Sequence, residues 1–331
     1  MITPLPDKKE RSSRNICYLK RFWAMALHNR TGNYLKEMEE EQGYLWALMD
    51  ALGLGLEPTL QYLIGNAPEF EEFEDWIASH GSASNKHIEL FNDLLLNPDN
   101  SAPTPKVISS DMQRQWEEDG YVIIPEAISK KDAAKTAALI FDHLSADPQS
   151  QDTWYKDDGM HSQIMLQIFK DELLQKNRFN ARVQAAFQEI WGRKDLMASC
   201  DRVSFNPPET EQFKFAGPHL HWDVSLQQPI PFGTQGMIYL TDTTEDQGAF
   251  KLVPGFHKKI GKWLDSLSPE ENPRTMDLEV LNPKKVAAKA GDLIIWHQAL
   301  PHGASANTSD KPRLVQYINY LPLDREIKAW K

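Results

Sequence analysis

A short histidine–aspartate segment carries the residues of this sequence that are best suited to chemistry. The segment GPHLHWD occupies residues 217–223, and alternate side chains of an extended strand point to the same face. His221 and Asp223 can then direct an imidazole and a carboxylate at one point. Two histidines and one carboxylate on one side of an octahedron bind Fe(II) in non-haem oxygenases and leave three positions open. The spacing therefore predicts two of the three ligands of such a site.

The third ligand must come from a distant strand, and His297 and His302 are the candidates in IIWHQALPHGAS. Arg313 follows His302 by eleven residues. A guanidinium holds a carboxylate through two parallel hydrogen bonds and stays charged at any working pH, so an arginine here suits the distal carboxylate of 2-oxoglutarate. This offset favours His302 as the ligand. His297 remains the alternative, with a role in the core or beside the ligands as its simpler interpretation.

His219 is a second alternative, because it shares a face with His221 in an extended strand. The H-x-D pairing favours His221 as the ligand. We expect His219, together with Trp222 and Met237, to line a substrate pocket beside the metal.

The first hundred residues contain no catalytic signature and are helical in pattern. Apolar residues recur with helical spacing over 15–30, 34–52, 67–79 and 85–96. Residues 97–106, NPDNSAPTPK, carry three prolines and predict a linker. We predict a helical N-terminal region over 1–100 that packs, self-associates, covers the site or binds a substrate carrier.

The chain changes character after the linker, and a second domain is predicted over 107–331. Helices are expected at 130–146 and 171–191, and short strands from about residue 197 onward. Turn residues such as Asp246–Gly248 and Gly291–Asp292 separate several of the strands. Many short strands with Gly and Pro turns predict a β-sandwich or barrel.

Composition narrows the class of partner. The 331 residues carry a net charge of −11 and are 41% hydrophobic, which is ordinary for a globular protein and disfavours nucleic acid as a partner. Two cysteines do not make a disulfide framework. No apolar run approaches the roughly 18 to 20 residues that span a bilayer. We predict a soluble, cytoplasmic protein that acts on a small molecule.

Over about residues 110–322 the sequence resembles the phytanoyl-CoA dioxygenase-like family of Fe(II)/2-oxoglutarate oxygenases. The resemblance is carried by QWEEDGYVIIPEAISKKDAAK, HWD, EDQGAFKLVPGFHK and GDLIIWHQALPHGASANTSDKPRLVQYINY. It implies a mainly β fold with flanking helices, whose core is a double-stranded β-helix, also called a jelly roll or cupin-like barrel. It also implies Fe(II) on His221, Asp223 and His302, 2-oxoglutarate on Arg313, and O2 as the oxidant.

The resemblance extends to the reaction. Related halogenases have Gly or Ala in place of the carboxylate, so the retained Asp223 favours hydroxylation, with release of succinate and CO2. Family members act on free or CoA-linked small molecules, and a carrier-linked aliphatic substrate fits the same pattern. Where the family often has a serine two residues after the distal histidine, this chain has Ala304, with Ser305 beside it. Gln163 is the candidate for a further contact to 2-oxoglutarate.

Two other functions remain open at this point. One is a jelly-roll binding module without catalytic activity, and the complete set of four key residues counts against it. The other is a non-oxidative metal-dependent enzyme on a cupin-type barrel. Such an enzyme rarely needs an arginine eleven residues after its last ligand.

Overall fold

The computed structural model describes residues 5–30, 32, 35–82, 84–97, 106–155, 164–169 and 171–330. The chain divides into two compact units. The first is Met1–Thr104 with Trp191–Cys200 and Tyr320–Ile327, and the second is Pro105–Ile190 with Asp201–Asn319 and Lys328–Lys331. The division into a helical region (1–100) and an oxygenase domain (107–331) stays a prediction.

The α-helices of the described residues are α1 (Leu19–Arg30), α2 (Lys36–Glu40), α3 (Gln42–Leu52), α4 (Leu56–Asn66), α5 (Phe70–His80), α6 (Asn85–Leu96), α7 (Ser110–Asp119), α8 (Lys130–Leu144), α9 (Glu172–Arg178), α10 (Ala181–Trp191) and α11 (Ile260–Asp265). The strands are β1 (Tyr121–Ile124), β2 (Met165–Leu166), β3 (Leu196–Ala198), β4 (Val203–Asn206), β5 (Thr234–Tyr239), β6 (Phe250–Leu252), β7 (Lys284–Val286), β8 (Leu293–His297), β9 (His302–Ala304), β10 (Arg313–Tyr317) and β11 (Tyr320–Pro322). Short 3-10 helices lie at Gln151–Trp154, Phe256–Lys258 and Leu278–Leu281.

The first unit contains α1 to α6 and the antiparallel pair β3–β11. Its core is one apolar cluster that includes Phe22, Phe73 and Phe91, each without exposed surface. The four stretches with apolar residues at helical spacing are therefore helical, as predicted. A further helix, α4, was not identified from the sequence. Only Thr59 and Leu63 of this helix are buried, so its apolar stripe is too narrow to stand out.

The second unit is built on two antiparallel sheets, one of six strands in the order β1-β8-β5-β10-β4-β2 and one of three in the order β7-β6-β9. A single apolar cluster contains Met237, Ile294 and Val315 from the larger sheet and Phe250 and Val286 from the smaller. The two sheets thus share one core. The predicted fold, a jelly roll with flanking helices and a helical N-terminal region, is confirmed.

Local signals explain where several elements end. Gly248 (φ 62°) and Gly291 (φ 95°) adopt the left-handed conformation at the predicted turns. The helix predicted over 171–191 is interrupted between α9 and α10. There the Asn180 side chain accepts a hydrogen bond from the Arg182 N–H at 2.9 Å, as a residue before a helix start does. No helix within the described part of the chain is long and apolar enough to cross a membrane.

Candidate metal centre

His221 and His302 face each other across an isolated antiparallel bridge. The His221 N–H donates to the His302 carbonyl at 2.9 Å, and the His302 N–H donates to the His221 carbonyl at 3.0 Å. His302 begins β9, whereas residues 221–223 lie outside the regular strands. The expectation that this segment is an extended strand is therefore wrong, although the backbone bridge alone brings the two imidazoles together.

Arg274 binds backbone carbonyls of this segment. Its guanidinium donates to the Trp222 carbonyl at 3.0 Å and to the Val224 carbonyl at 2.6 Å. The two carbonyls that flank Asp223 are therefore bound by a side chain and not by a neighbouring strand. This arginine fixes the backbone at Asp223, and the sequence analysis missed it.

The three predicted ligands converge. Asp223 Oδ1 lies 3.2 Å from His221 Nε2, and Asp223 Oδ2 lies 3.1 Å from His302 Nε2. One ligand atom from each residue lies within 4.8 Å of the others. Metal–ligand bonds of about 2.1 Å at right angles place neighbouring ligand atoms about 3.0 Å apart. The two imidazoles and the carboxylate therefore fit a facial site for Fe(II).

Backbone carbonyls orient both imidazoles. His221 Nδ1 lies 2.7 Å from the His219 carbonyl oxygen, and His302 Nδ1 lies 3.1 Å from that of Leu300. A carbonyl only accepts, so each Nδ1 carries a proton. Each Nε2 faces the Asp223 carboxylate and is the atom of its ring that can bind a metal. Gly303 permits this arrangement, because a Cβ at that position would lie 2.5 Å from the His219 carbonyl oxygen.

The charges at the site favour a bound cation. Burial acts to raise the pKa of Asp223, but hydrogen bonds and charge from the two imidazoles outweigh burial and hold that pKa below its usual range. Burial acts to lower the pKa of His221, but Asp223 outweighs it and raises that pKa. The carboxylate is therefore ionised between two imidazoles, and a divalent ion can replace the protons they share.

A glutamine that the sequence analysis did not single out also contacts the carboxylate. Gln235 Nε2 donates to Asp223 Oδ2 at 2.7 Å, and the Trp296 indole N–H donates to Gln235 Oε1 at 3.1 Å. Gln235 lies in β5 directly opposite Trp296 in β8. A polar residue in a largely apolar strand was the available signal, but its partner depends on strand register.

Arg313 is completely buried in β10. Its Nη2 donates to Ser204 Oγ at 3.2 Å, while its Nε has no hydrogen-bond partner among the described residues. Burial raises the pKa of Tyr239 to about 12, and the charge of Arg313 opposes that rise. Within the described part of the chain no carboxylate forms an ion pair with this arginine. A buried guanidinium without an anion is costly. Arg313 is not among the residues that line the cavity beside the candidate ligands, so its role in binding 2-oxoglutarate stays a prediction.

The three candidate ligands open onto a cavity of about 480 Å³. Its lining comprises Met165, Asp201, Arg202, Pro218, His221, Asp223, Gln235, Gly236, Phe250, Trp296, His302, Gly303, Ala304, Tyr317 and Asn319. Ala304 thus faces the cavity, whereas the Ser305 hydroxyl donates to the Ala249 carbonyl at 2.9 Å. Gln163 lies outside the described residues.

The three residues predicted to line a substrate pocket lie elsewhere. Trp222 and Met237 are buried in the apolar core, where the Trp222 indole N–H donates to the Ala299 carbonyl at 3.0 Å. The His219 ring is exposed and packs edge-on against Phe215 at 5.7 Å. None of the three is among the residues that line the cavity beside the candidate ligands. Trp222, which lies between His221 and Asp223 in sequence, points into the core instead.

His297, the alternative third ligand, lies in an aromatic cluster away from the carboxylate. Its ring centroid is 5.2 Å from that of His257 and 5.4 Å from that of Phe232. Its Nδ1 accepts a hydrogen bond from the Ala299 N–H at 3.0 Å. The structure therefore groups His302, and not His297, with the other two candidate ligands.

The buried position of His297 predicts a loss of stability in acid. Burial, reinforced by His257, lowers its pKa to about 4, whereas the unfolded chain has a value of about 6.5. The stabilisation is complete above pH 6.5 and is lost as the pH falls toward 4, by at most about 3 kcal/mol. His297→Asn keeps an acceptor for Ala299, so thermal melts from pH 7 to 4.5 should show a smaller decrease in Tm. Parallel curves for the two proteins would contradict this prediction.

The model of the phytanoyl-CoA dioxygenase family matches residues 116–315, which is more than half of the chain. The chain belongs to the phytanoyl-CoA dioxygenase family. The predicted enzyme class, a non-haem Fe(II)/2-oxoglutarate oxygenase, is confirmed, and Fe(II), 2-oxoglutarate and O2 are its cofactor and co-substrates. As expected for this class, the substrate is a small molecule.

Two curated relatives are similar to this chain in sequence. A Dictyostelium discoideum protein named after phytanoyl-CoA dioxygenase is 27% identical over 258 residues, covering 62% of this chain and 74% of the relative. The ectoine dioxygenase of Bordetella bronchiseptica is 22% identical over 245 residues, covering 68% and 79%.

Among solved structures, EctD from S. alaskensis with 2-oxoglutarate and 5-hydroxyectoine is 15% identical and has a TM-score of 0.48. The aligned part covers 69% of this chain and 81% of EctD. The epimerase SnoN with Fe3+, alpha ketoglutarate and nogalamycin RO is 18% identical, with a TM-score of 0.47 and coverage of 66% and 85%. The family assignment itself rests on the match over 116–315.

Proposed function

We propose that this family member hydroxylates an aliphatic carbon of a small molecule, with Fe(II) held by His221, Asp223 and His302. The observation that carries the proposal is the convergence of these three ligand atoms, within 4.8 Å, on one wall of a 480 Å³ cavity. Bound Fe(II) with 2-oxoglutarate and O2 supplies the oxidising power, and the co-substrate leaves as succinate and CO2.

Arg313 would bind the distal carboxylate of 2-oxoglutarate. Its burial removes competing water and strengthens a charged pair, and its rigid planar fork orients the bound carboxylate. Ser204 accepts from Nη2, and the Tyr239 and Tyr317 hydroxyls also interact with the guanidinium, so the co-substrate would share its N–H groups with these side chains. Tyr317 follows Arg313 on β10 and lines the cavity, so the co-substrate would lie between this strand and the metal.

Asp223 supports hydroxylation over halogenation. A carboxylate at this position occupies the coordination site that chloride takes in the related halogenases. The aromatic rings of Phe250 and Trp296 line the same cavity and would keep the reacting carbon away from bulk water.

The size and the charged lining of the cavity indicate what kind of substrate it can hold. Its volume suits a small molecule but is too small for a whole CoA group, so a CoA- or carrier-linked substrate would place only its acyl part inside. Asp201 and Arg202 add charges of opposite sign to the lining, 3.8 Å apart. These side chains support a substrate with polar groups near the carbon that is oxidised.

The helical region could serve a carrier-linked substrate or a second copy of the chain. Trp46 and Ile64 are large apolar side chains of this unit that are each 42% exposed, which supports a contact with another protein. That contact and the cytoplasmic location stay predictions.

The test is to supply Fe(II), 2-oxoglutarate and 18O2 to the purified chain and to analyse succinate by mass spectrometry. The expected result is slow formation of succinate with one 18O atom even without the substrate, and faster formation when a metabolite screen provides it. A chain that binds Fe(II) and 2-oxoglutarate but never forms succinate would be a binding module. A chain that turns over a substrate without consuming O2 would be a non-oxidative enzyme.

A further inference from the structure

Gln235 is a cavity-lining side chain that contacts the candidate ligand Asp223 in addition to the two histidines. Its amide donates to Asp223 Oδ2 at 2.7 Å, which is a short bond for an amide donor. Asp223 is 49% exposed, so its carboxylate is not held in place by tight packing. The amide is therefore an important restraint on the rotation of this carboxylate.

The orientation of the amide is set by its second partner. The Trp296 indole N–H lies 3.1 Å from Gln235 Oε1, and an indole N–H can only donate. Oε1 must then face the indole, and the two amide protons face Asp223. Trp296 is itself fixed, since it is 2% exposed and its ring packs on Phe250 at 4.4 Å.

The same indole also packs against a second ligand. The ring centroids of Trp296 and His302 are 5.2 Å apart. Trp296 thus contacts both the imidazole of His302 and the amide that holds Asp223. Any motion of the indole would disturb two ligands together.

We propose that Gln235, oriented by Trp296, keeps Asp223 bound to the metal through one oxygen only. An oxygen that accepts a strong N–H bond is drawn away from the metal, so the carboxylate does not chelate. With one oxygen from Asp223, two imidazoles and bidentate 2-oxoglutarate, one of six positions stays open for water and then O2. A chelating carboxylate would fill that position. Gln235 is therefore a positioning residue for O2 access.

This inference rests on the proposed function. An experiment with Mn(II) in place of Fe(II) distinguishes failure of the inference from failure of the proposed function. Water-proton relaxation counts the water molecules on protein-bound Mn(II) without any turnover. For the complex of wild-type protein with Mn(II) and 2-oxoglutarate we expect about one bound water. Gln235→Leu should lose that water and form succinate with Fe(II) roughly 10- to 100-fold more slowly. Trp296→Phe, which keeps an aromatic ring of smaller size but removes the indole N–H, should give values between those of wild type and Gln235→Leu.

The matched control is Gln298→Leu. Gln298 is also a partly buried glutamine, and its amide donates to the Pro231 carbonyl at 2.6 Å without contact to Asp223. It should retain both the bound water and the rate. Equal values for Gln235→Leu and Gln298→Leu would overturn the inference. If Gln235→Leu does not fold, an unchanged bound water in Trp296→Phe would overturn it. Failure of wild-type protein to bind Mn(II) and 2-oxoglutarate would instead overturn the proposed function.

Discussion

His302→Ala is expected to abolish the weak visible absorption that Fe(II) and 2-oxoglutarate give together without oxygen, and to abolish succinate formation in air. The variant removes a ligand that lies 3.1 Å from the Asp223 carboxylate. Loss of a partner around a metal ligand already costs 10- to 100-fold in metal affinity or activity, so loss of the ligand should cost at least about 100-fold. Anaerobic titration with Fe(II) at saturating 2-oxoglutarate measures the effect.

His297→Ala is the control for this experiment. Both histidines are in the same short stretch of sequence, but His297 packs against His257 and Phe232 and makes no contact with Asp223. It should retain the absorption band and the rate of succinate formation, although its Tm should change. Loss of the band in His297→Ala with retention in His302→Ala would mean that the third ligand has been assigned to the wrong histidine.

Arg313→Met should have two opposite effects. The affinity for 2-oxoglutarate should fall roughly 150- to 5000-fold, because a buried charged pair that loses one partner costs about 3 to 5 kcal/mol. The protein without co-substrate should be as stable as wild type or more stable, since an unpaired buried charge is replaced by an apolar chain of similar length. Thermal melts with a divalent metal, with and without 2-oxoglutarate, measure both effects. The co-substrate should raise the Tm of wild type and not of the variant.

Arg202→Met provides the comparison, because Arg202 is the arginine that lines the cavity beside the candidate ligands. Arg202 is 42% exposed and pairs loosely with Asp201, so its loss should leave the 2-oxoglutarate affinity within about threefold. An equal loss of affinity in the two variants would indicate a general effect of positive charge. An unchanged affinity in Arg313→Met would remove that residue from co-substrate binding.

Much of the site could be predicted because the key residues lie at short, recognisable spacings in the sequence. The H-x-D spacing names His221 and Asp223, and the offset to Arg313 favours His302 over His297. Helical periodicity likewise indicated most of the N-terminal helices, since their buried faces repeat every three to four residues. The weakly patterned α4 was missed for the same reason.

The sequence by itself thus determined the residue types, the family and the class of chemistry. The tertiary structure alone decided how they are arranged. Gln235 and Trp296 are 61 residues apart, and Asp223 and His302 are 79 apart, so their contacts depend on strand register and backbone bridges. Arg274 replaces a neighbouring strand beside Asp223, and the core encloses Trp222 and Met237. Such contacts follow from how distant segments pack, and local periodicity carries no information about them.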